Sequence, residues 1–284
     1  MKNISHDHIV ALKYTSFEAG PKLYFEYVPE GSLEGHLPTT SLQRVQITIQ
    51  LLSGLTYLHG KQPPIAHRDI KPENVLVKHW SDDIVHVMLS DFGLSKQSND
   101  LKSFCGTILY AAPEIFYAGL VGRGNGKKYD PLVDNWSLSV LLVSLECYHL
   151  PKFSKHYAQS GTAWAKKVVN FALKHLESHG PNELLLFLIE DMLVIDPKGR
   201  KPTKECYDRA RRLLGGKIQT LATGDGENVC EETDVAISTA SPAEIVDSEL
   251  PQAANCLATN QNDNPKPMAR VPSTLRKRRR SSED

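Results

Sequence analysis

The sequence has few cysteines, and none of them lie close together. The five cysteines among the 284 residues are Cys105, Cys147, Cys206, Cys230 and Cys256. No two of them have the C-x-x-C spacing of a compact zinc module, and no apolar leader of secretory type follows Met1. We therefore expect an intracellular protein in a reducing compartment.

A net charge of one sign and long hydrophobic runs are also missing. The chain has 33 basic and 33 acidic side chains, so its formal net charge is zero. Binding to a polyanion would therefore need a local basic patch. The longest apolar stretch, residues 138–145, includes two serines and is far shorter than the roughly 20 residues of a membrane-spanning helix. We expect no membrane span.

Aromatic residues are absent from the C-terminal part of the chain. No Phe, Trp or Tyr follows Tyr207, and small, acidic, amide and proline residues dominate there. This composition buries too little apolar surface to offset chain entropy, so we predict a disordered tail over residues 215–284. The tail contains the basic cluster Arg276–Arg280, which we interpret as a nuclear localisation signal or a generic basic tail, for a protein of the cytoplasm, the nucleus or both. Contact with nucleic acid is the less favoured alternative.

The rest of the sequence predicts an α+β fold that is mainly helical. Apolar residues at steps of three and four predict a helix over residues 41–61, and two more amphipathic segments cover 183–194 and 203–214. Residues 131–149 are apolar on almost every face, which predicts a core helix. Strands are predicted at 84–89 and, as an antiparallel pair around a Gly-Pro break, at 9–12 and 23–27.

Two short motifs carry the chemistry. The first is His67-Arg68-Asp69-Ile70-Lys71-Pro72-Glu73-Asn74, and the second is Asp91-Phe92-Gly93 at the end of a predicted strand. They supply a carboxylate that could act as a base, a lysine, and amide and carboxylate oxygens that suit Mg²⁺. Each residue alone has a structural interpretation, because an aspartate in a turn is most often a cap. The combination in this order predicts phosphoryl transfer.

The two motifs resemble the catalytic loop and the magnesium loop of eukaryotic-type serine/threonine protein kinases. The resemblance implies that Asp69 accepts the proton of a substrate hydroxyl and that Lys71 holds the transferring phosphate. It implies that Asn74, which belongs to the same catalytic loop, binds Mg²⁺ together with Asp91. ATP and Mg²⁺ are therefore the expected cofactors, and a Ser or Thr hydroxyl of a protein is the expected substrate.

Downstream residues continue the resemblance in the same order. The stretch Gly106–Glu114 resembles the end of a kinase activation segment, where Thr107 is expected beside the catalytic aspartate and lysine. Ser103 in the same segment is the candidate for regulatory phosphorylation by an upstream kinase, with Arg68 as the cation that would receive the phosphate. Both expectations rest on position within the segment.

The resemblance also implies two structural pairings. Asp134, in the sequence Asp-Asn-Trp-Ser, resembles the aspartate that braces the backbone of the catalytic loop. Arg200 resembles the late arginine that pairs with the closing glutamate of the activation segment, here Glu114. If that pair is buried, removal of one partner leaves an uncompensated charge and should cost about 3 kcal/mol of stability.

Upstream, Phe25-Glu26-Tyr27-Val28 resembles the hinge between the two kinase lobes. The resemblance implies that the backbone of Glu26 and Val28 binds the adenine edge and that Leu76 also contacts the nucleotide. The alternative is an ordinary strand end with an aromatic residue in the core. The implied domains are a small-lobe remnant with the hinge at residues 1–28, a large lobe at 29–214 and the tail at 215–284.

Parts of the family pattern are missing from the sequence. No Gly-x-Gly-x-x-Gly loop and no Val-Ala-Ile-Lys strand precede the hinge, so the contacts that these segments make with ATP phosphates have no counterpart. We expect the sequence to be a fragment or a truncated chain. The alternative function is a catalytically inactive kinase-like module that binds a partner through its helical lobe. The sequence does not predict an oligomeric state.

Overall fold

The structure is a computed structural model that describes residues 4–18, 20–97, 107–115, 130–154, 157 and 160–222. Chain contacts separate a unit of residues 1–228 from a unit of residues 229–284, and every described residue belongs to the first unit. The described residues form a mainly helical body with three 2-stranded sheets. This confirms the predicted α+β fold.

The N-terminal sheet starts later than the sequence predicts. Strand β1 (Leu12–Ser16) pairs antiparallel with β2 (Lys22–Phe25), whereas the first strand was expected at residues 9–12. Ile9 and Val10 do not belong to this strand, and their apolar side chains are buried against the large lobe. There the Val10 N–H donates to Leu89 O over 2.9 Å, and the Leu89 N–H donates to His8 O over 2.9 Å. The chain thus crosses the large lobe before its first strand begins.

The β1–β2 sheet leaves most of its apolar side chains exposed. Tyr14 stacks on Tyr24 with ring centroids 4.2 Å apart, and both rings remain accessible to solvent. Just outside the two strands, Phe17 is 75% exposed and Tyr27 is 87% exposed. An isolated two-stranded hairpin is marginally stable in water. Within the described part of the chain, this sheet therefore adds little to the hydrophobic core.

Helix α1 (Ser41–His59) leads into the catalytic loop. Thr40 caps it by a capping box, in which the Gln43 N–H donates to Thr40 Oγ1 over 3.1 Å and the Thr40 N–H donates to Gln43 Oε1 over 3.2 Å. The apolar stripe faces inward, with Leu51, Leu52 and other leucines fully buried. The helix therefore has nearly the predicted length and the predicted buried face.

Short strands hold the loop that follows α1. Strands β4 (Val75–Trp80) and β5 (Val85–Leu89) form an antiparallel hairpin. Strands β3 (Ile65–Ala66) and β6 (Lys96–Gln97) form a smaller antiparallel pair. The catalytic-loop motif occupies the segment between β3 and β4, and the Asp-Phe-Gly motif lies between β5 and β6. The pairing therefore brings both motifs to one side of the large lobe.

Helix α2 (Val133–Glu146) passes through the centre of the large lobe. Nearly all of its residues are buried, including Trp136, as expected for a helix that is apolar on all faces. Ser139 is a polar residue within this apolar helix. The structure accommodates it, because its side chain is buried and its hydroxyl donates to Trp136 O over 2.7 Å.

Three more helical segments complete the lobe. Helix α3 (Gly161–His179) was not predicted, although Trp164, Val168 and Ala172 recur every four residues and are buried. Helix α4 (Glu183–Phe187) continues directly into a π-helical turn, Leu188–Met192, and so covers most of the predicted segment 183–194. Helix α5 (Thr203–Ala222) continues past residue 215, where the tail was predicted to begin.

Two cysteines are buried in the helical core. Burial raises the pKa of Cys147, which follows α2, to about 12, and nearby Glu146 acts in the same direction. Burial also raises the pKa of Cys206 in α5 to about 12. Both are free thiols.

Among the described helices, none is long and apolar enough to cross a membrane.

Candidate active site

The catalytic loop is anchored by a buried histidine. His67 Nε2 lies 2.8 Å from Ser90 O, which can only accept, and His67 Nδ1 lies 3.3 Å from the Asp69 N–H, which can only donate. These partners fix the neutral tautomer with its proton on Nε2. Burial lowers the pKa of His67, although Asp134 opposes this effect. The ring also packs against Phe92, so the loop is tied to the Asp-Phe-Gly segment.

Asp134 of α2 holds the backbone of the same loop. Its Oδ2 accepts from the His67 N–H over 2.7 Å, and its Oδ1 accepts from the Arg68 N–H over 2.8 Å. Arg68 has a φ of 75°, in the left-handed region that non-glycine residues rarely adopt. The carboxylate is fully buried. It therefore stabilises a strained backbone immediately before Asp69.

Asp69 lies at the centre of a compact polar cluster. Its Oδ1 accepts from the Thr107 N–H over 3.0 Å and from Thr107 Oγ1 over 3.1 Å. Its Oδ2 accepts from Asn74 Nδ2 over 2.8 Å and lies 3.1 Å from Lys71 Nζ. Lys71 Nζ also donates to Thr107 Oγ1 over 2.9 Å. The structure thus brings together a carboxylate, an ammonium group, an amide and a hydroxyl.

The environment of Asp69 keeps its carboxylate charged. Burial alone would raise the pKa of Asp69, but the hydrogen bond and the charge of Lys71, together with two hydrogen bonds from Thr107, outweigh burial and lower it. An ionised carboxylate with a hydroxyl at hydrogen-bond distance has the geometry of a general base. The lysine beside it supplies positive charge at the same point.

Asn74 and Asp91 are joined through one intervening residue. The Ser90 N–H donates to Asn74 O over 2.8 Å, and Ser90 Oγ donates to the same oxygen over 2.9 Å. Asp91 follows Ser90 directly and has a φ of 54°, and its Oδ1 accepts from the Gly93 N–H over 3.1 Å. The strand end therefore places an amide side chain and an exposed carboxylate in one neighbourhood.

The donor chemistry of these two residues fits Mg²⁺. The ion prefers oxygen ligands and usually takes only one or two from the protein, with waters and phosphate oxygens completing the shell. Asn74 uses its Nδ2 to donate to Asp69, so its Oδ1 is oriented as the remaining polar atom. Within the described residues, no group of three or more His, Cys, Asp and Glu side chains could hold a metal. The site suits a metal shared with a nucleotide.

Glu114 and Arg200 form a bidentate ion pair. Arg200 Nη2 donates to Glu114 Oε2 over 2.8 Å, and Nη1 donates to the other carboxylate oxygen. Arg200 Nε also donates to Val194 O over 2.8 Å, and its guanidinium lies over the Trp136 ring. The Arg200 side chain is fully buried and the Glu114 side chain is 17% exposed. The pair ties the end of the activation segment to the core.

The predicted hinge residues Glu26 and Val28 lie in different surroundings. The Glu26 N–H donates to Ala11 O over 2.9 Å, and Glu26 Oε1 accepts from the Ala11 N–H over 2.9 Å. Val28 is buried in a small cluster with Val10 and Met88, and Leu76 packs against that cluster. The structure therefore groups Val28 and Leu76 on one apolar surface, while Glu26 is tied to the strand region.

One predicted site residue cannot be located, and one contributor was missed. Ser103 lies outside the described residues. Ser90 was not predicted, although it connects Asn74 to Asp91 and accepts from His67. Its position directly before Asp91 was the available signal, because a residue that directly follows a strand can bond the neighbouring loop through both its backbone and its side chain.

Comparison with known proteins identifies the family. The model of the protein kinase domain matches residues 1–210. The chain belongs to the protein kinase family. As a family, protein kinases use ATP together with Mg²⁺, and the oxygen donors described above are consistent with that chemistry.

Kinases of other organisms are similar to this chain. The ovarian-specific serine/threonine-protein kinase Lok of Drosophila melanogaster is 33% identical over 245 residues, which cover 82% of this chain and 49% of Lok. A probable myosin light chain kinase of Dictyostelium discoideum is 30% identical over 240 residues, which cover 78% of this chain and 62% of the relative. The chain therefore spans about half to three-fifths of the length of these relatives.

A solved structure shows the same fold. The crystal structure of the Rad53 kinase domain and SCD2 aligns with a TM-score of 0.54 and 25% sequence identity, covering 72% of this chain and 71% of that chain. The large lobe of the chain, with its catalytic loop between β3 and β4, therefore has the fold of a known kinase domain.

Proposed function

We propose that this kinase transfers the γ-phosphate of Mg-ATP to Ser or Thr hydroxyls of proteins. The observation that carries the proposal is the cluster of Asp69, Lys71 and Thr107. In it a hydroxyl oxygen already lies 3.1 Å from a carboxylate oxygen of Asp69 and 2.9 Å from Lys71 Nζ. The same pair could hold the hydroxyl of a substrate. Relatives that are serine/threonine kinases support this substrate class.

Each residue has a defined task in the proposed reaction. The substrate hydroxyl would give its proton to Asp69 as its oxygen bonds to the γ-phosphorus, and the bond from that phosphorus to the β-phosphate oxygen would break, releasing ADP. Lys71 would offset negative charge on the transferring group. Asn74 and Asp91 would hold Mg²⁺, which neutralises phosphate charge when bound. Val28 and Leu76 offer an apolar surface suited to the adenine ring.

The test is Mg-ATP-dependent phosphate transfer to a generic Ser/Thr protein substrate by the 284-residue chain. Asp69→Asn should lower the rate by about 10²- to 10⁴-fold, because the base is lost while the shape is kept. Asp82→Asn is the matched control, since Asp82 is exposed in the β4–β5 turn, and it should retain full activity. Equal rates for the wild type and Asp69→Asn would contradict the proposal.

A non-catalytic binding module is the second candidate. The sequence predicts binding through the helical lobe, but the surface that favours a binding module lies on the β1–β2 sheet, whose apolar side chains are exposed; exposed apolar patches often mark protein interaction sites. This candidate predicts no phosphate transfer above that of Asp69→Asn, even though the chain is folded. A clear difference between the wild type and Asp69→Asn would exclude it as the full description.

Regulation and location extend the proposal. We infer that an upstream kinase phosphorylates Ser103 and that Arg276–Arg280 directs the chain to the nucleus; both segments lie outside the described residues. Loss of phosphatase sensitivity in Ser103→Ala would support the first inference, and unchanged sensitivity would contradict it. Unchanged distribution of a fluorescent fusion after replacement of the five basic residues would contradict the second.

A further inference from the structure

Helix α3 borders a surface cleft that combines lysines with apolar groups. The cleft has a volume of about 440 Å³, and three of the residues that line it are cationic, namely Lys166, Lys167 and Lys174. None of the described residues that line it is acidic. The cleft therefore concentrates positive charge in a protein whose formal net charge is zero.

The helical repeat places the charged groups in a short row. Lys166 and Lys174 are eight positions apart with Asn170 midway between them, so the three exposed side chains lie on one face of α3. Eight helical positions extend about 12 Å along the axis, a distance that an extended peptide covers in about four residues. The row therefore has the length of a short peptide segment.

No carboxylate of the described part of the chain neutralises this row. None of the ion pairs there includes Lys166, Lys167 or Lys174. On α5, by contrast, Lys204 Nζ lies 3.0 Å from Oδ2 of Asp208, four residues later. The residues four positions before and after each of the three α3 lysines are all uncharged. The positive charge of the cleft is therefore available to an anionic partner.

One lysine of the cleft is held in place beside an apolar wall. Lys167 Nζ donates to Lys152 O over 2.9 Å and lies 4.7 Å from the centroid of the Tyr157 ring. An ammonium group has three donors, so Lys167 keeps donors for a further acceptor. The half-buried Phe171 lines the same cleft. A ligand that carries both carboxylates and an apolar side chain matches these two kinds of surface.

Helix α3 also contacts the end of the activation segment. Trp164 follows Ala163, which lines the cleft, and its Nε1 donates to Leu109 O over 2.9 Å. Leu109 lies two residues after Thr107, whose hydroxyl contacts Asp69. The helix that borders the cleft therefore packs on the segment that lies beside the catalytic aspartate.

We propose that this cleft is a docking site for an acidic segment of a protein substrate. The side-chain carboxylates of the segment bind Lys166, Lys167 and Lys174, and an apolar side chain of the segment packs against Tyr157 and Phe171. Only the identification of the partner as a substrate rests on the proposed phosphoryl transfer. A nucleic acid fits less well, because binding to its backbone commonly uses about 6–10 phosphate contacts, more than this short row supplies.

The test is fluorescence anisotropy of a labelled peptide of Glu, Asp and Leu residues, mixed with the full 284-residue chain at low salt. A peptide with Gln and Asn in place of the acidic residues should bind about tenfold more weakly, and added salt should weaken the acidic complex. The double substitution Lys166→Gln and Lys174→Gln should raise Kd for the acidic peptide about 3- to 20-fold. The matched control is Lys78→Gln with Lys198→Gln, because both lysines are exposed outside the cleft. Its net charge is the same, and its Kd should equal that of the wild type.

Two results of the binding experiment would overturn the docking site. The first is equal affinity of the wild type for the acidic and the neutral peptide. The second is an equal Kd in the wild type and the Lys166→Gln, Lys174→Gln variant. If a single-stranded oligonucleotide with as many charges binds more tightly than the peptide, and the variant loses that affinity, the partner is a nucleic acid and the proposal is wrong.

A kinetic experiment separates docking from the proposed function. Joining the acidic peptide to a generic Ser/Thr substrate should lower KM about fivefold in the wild type, because docking raises the local concentration of the substrate. In the Lys166→Gln, Lys174→Gln variant, the joined and the unjoined substrate should differ much less. If the chain binds the peptide as expected but transfers no phosphate, the proposed function fails and the docking site stands. If the wild type is active with equal KM for both substrates, the assignment of the partner as a substrate fails.

Discussion

The catalytic loop and the β1–β2 sheet contrast in how they are held. Polar residues of the loop, including His67 and Asp69, are buried and hydrogen-bonded to the large lobe. The sheet exposes apolar residues such as Tyr14 and Leu23. Burying polar groups costs free energy unless they are paired, so the loop is stable only with an intact core. The helical core therefore holds the catalytic groups in place, whereas the sheet makes few buried contacts with that core.

The contrast also concerns the two sides of the proposed nucleotide site. Val28 and Leu76 pack in one apolar cluster, whereas strands β1 and β2 have few buried contacts. A region with few buried apolar contacts opens at low free energy. We expect substitutions in the core to unfold the chain and equivalent substitutions in the sheet to have small effects.

The largest expected effect is the loss of the Glu114–Arg200 pair. Arg200→Ala leaves a partly buried carboxylate without its partner and removes the cation over Trp136. The free energy of unfolding should fall by about 3–5 kcal/mol, measured by denaturant titration. Lys204→Ala is the control, because Lys204 has a 69% exposed side chain and its partner Asp208 is 43% exposed. A loss of about 0–1 kcal/mol is expected there, and equal losses would refute the distinction.

A matched pair of leucine substitutions compares the two regions directly. Leu52→Ala in α1 opens a cavity beside fully buried neighbours and should cost about 2–5 kcal/mol, since Leu52 has no exposed surface. Leu23→Ala in β2 should change stability by about 0.5 kcal/mol or less, because Leu23 is 55% exposed. Both values come from urea unfolding curves followed by circular dichroism. A large loss in Leu23→Ala would mean that the sheet is covered by protein in solution.

Another substitution, Lys71→Met, is expected to change the pH dependence of activity. Burial raises the pKa of Asp69 and Lys71 opposes it, so removal of Lys71 should raise that pKa. Asp69 can accept a proton only when ionised, and the acid limb of the kcat/KM profile should therefore move to higher pH. The rate at neutral pH should fall by about 10²-fold.

The control for Lys71→Met is Lys78→Met, which changes an exposed lysine of β4. Its pH profile should match that of the wild type. An unchanged acid limb in Lys71→Met would mean that Lys71 does not set the ionisation of Asp69.

Much of the large lobe could be predicted from local patterns in the sequence. The stripe of leucines fixed α1 almost to its last residue, and the all-apolar stretch predicted α2. The order of the motifs indicated the family, because several short motifs follow one another as they do in protein kinases. These features depend on residues close together in the chain, which a sequence shows directly.

The errors arise where tertiary contacts decide. Ile9 and Val10 have strand-like composition but serve as a buried crossing that bonds to β5, so the first strand was placed too early. Helix α3 was overlooked because its lysines dilute the apolar signal, although the buried face was visible at Trp164 and Val168.

The site shows a similar limit. The resemblance named Asp69, Lys71 and Asp134, but neither the tautomer of His67 nor the bond from Ser90 to Asn74 O follows from residue types. These details depend on distances across the fold. Physical reasoning from the sequence thus predicted which groups take part, and the structure adds which atoms donate and accept.

The two buried cysteines make unfolding of the large lobe chemically observable. The thiolate is the form that reacts with alkylating reagents, and at a pKa of about 12 Cys147 and Cys206 are protonated at neutral pH. Both are also shielded from reagent by the core. Once the three other cysteines are replaced by serine, covalent labelling would proceed only as fast as the helices around these sulfurs separate. The rate at which Cys147 and Cys206 are labelled therefore reports how often the large lobe opens.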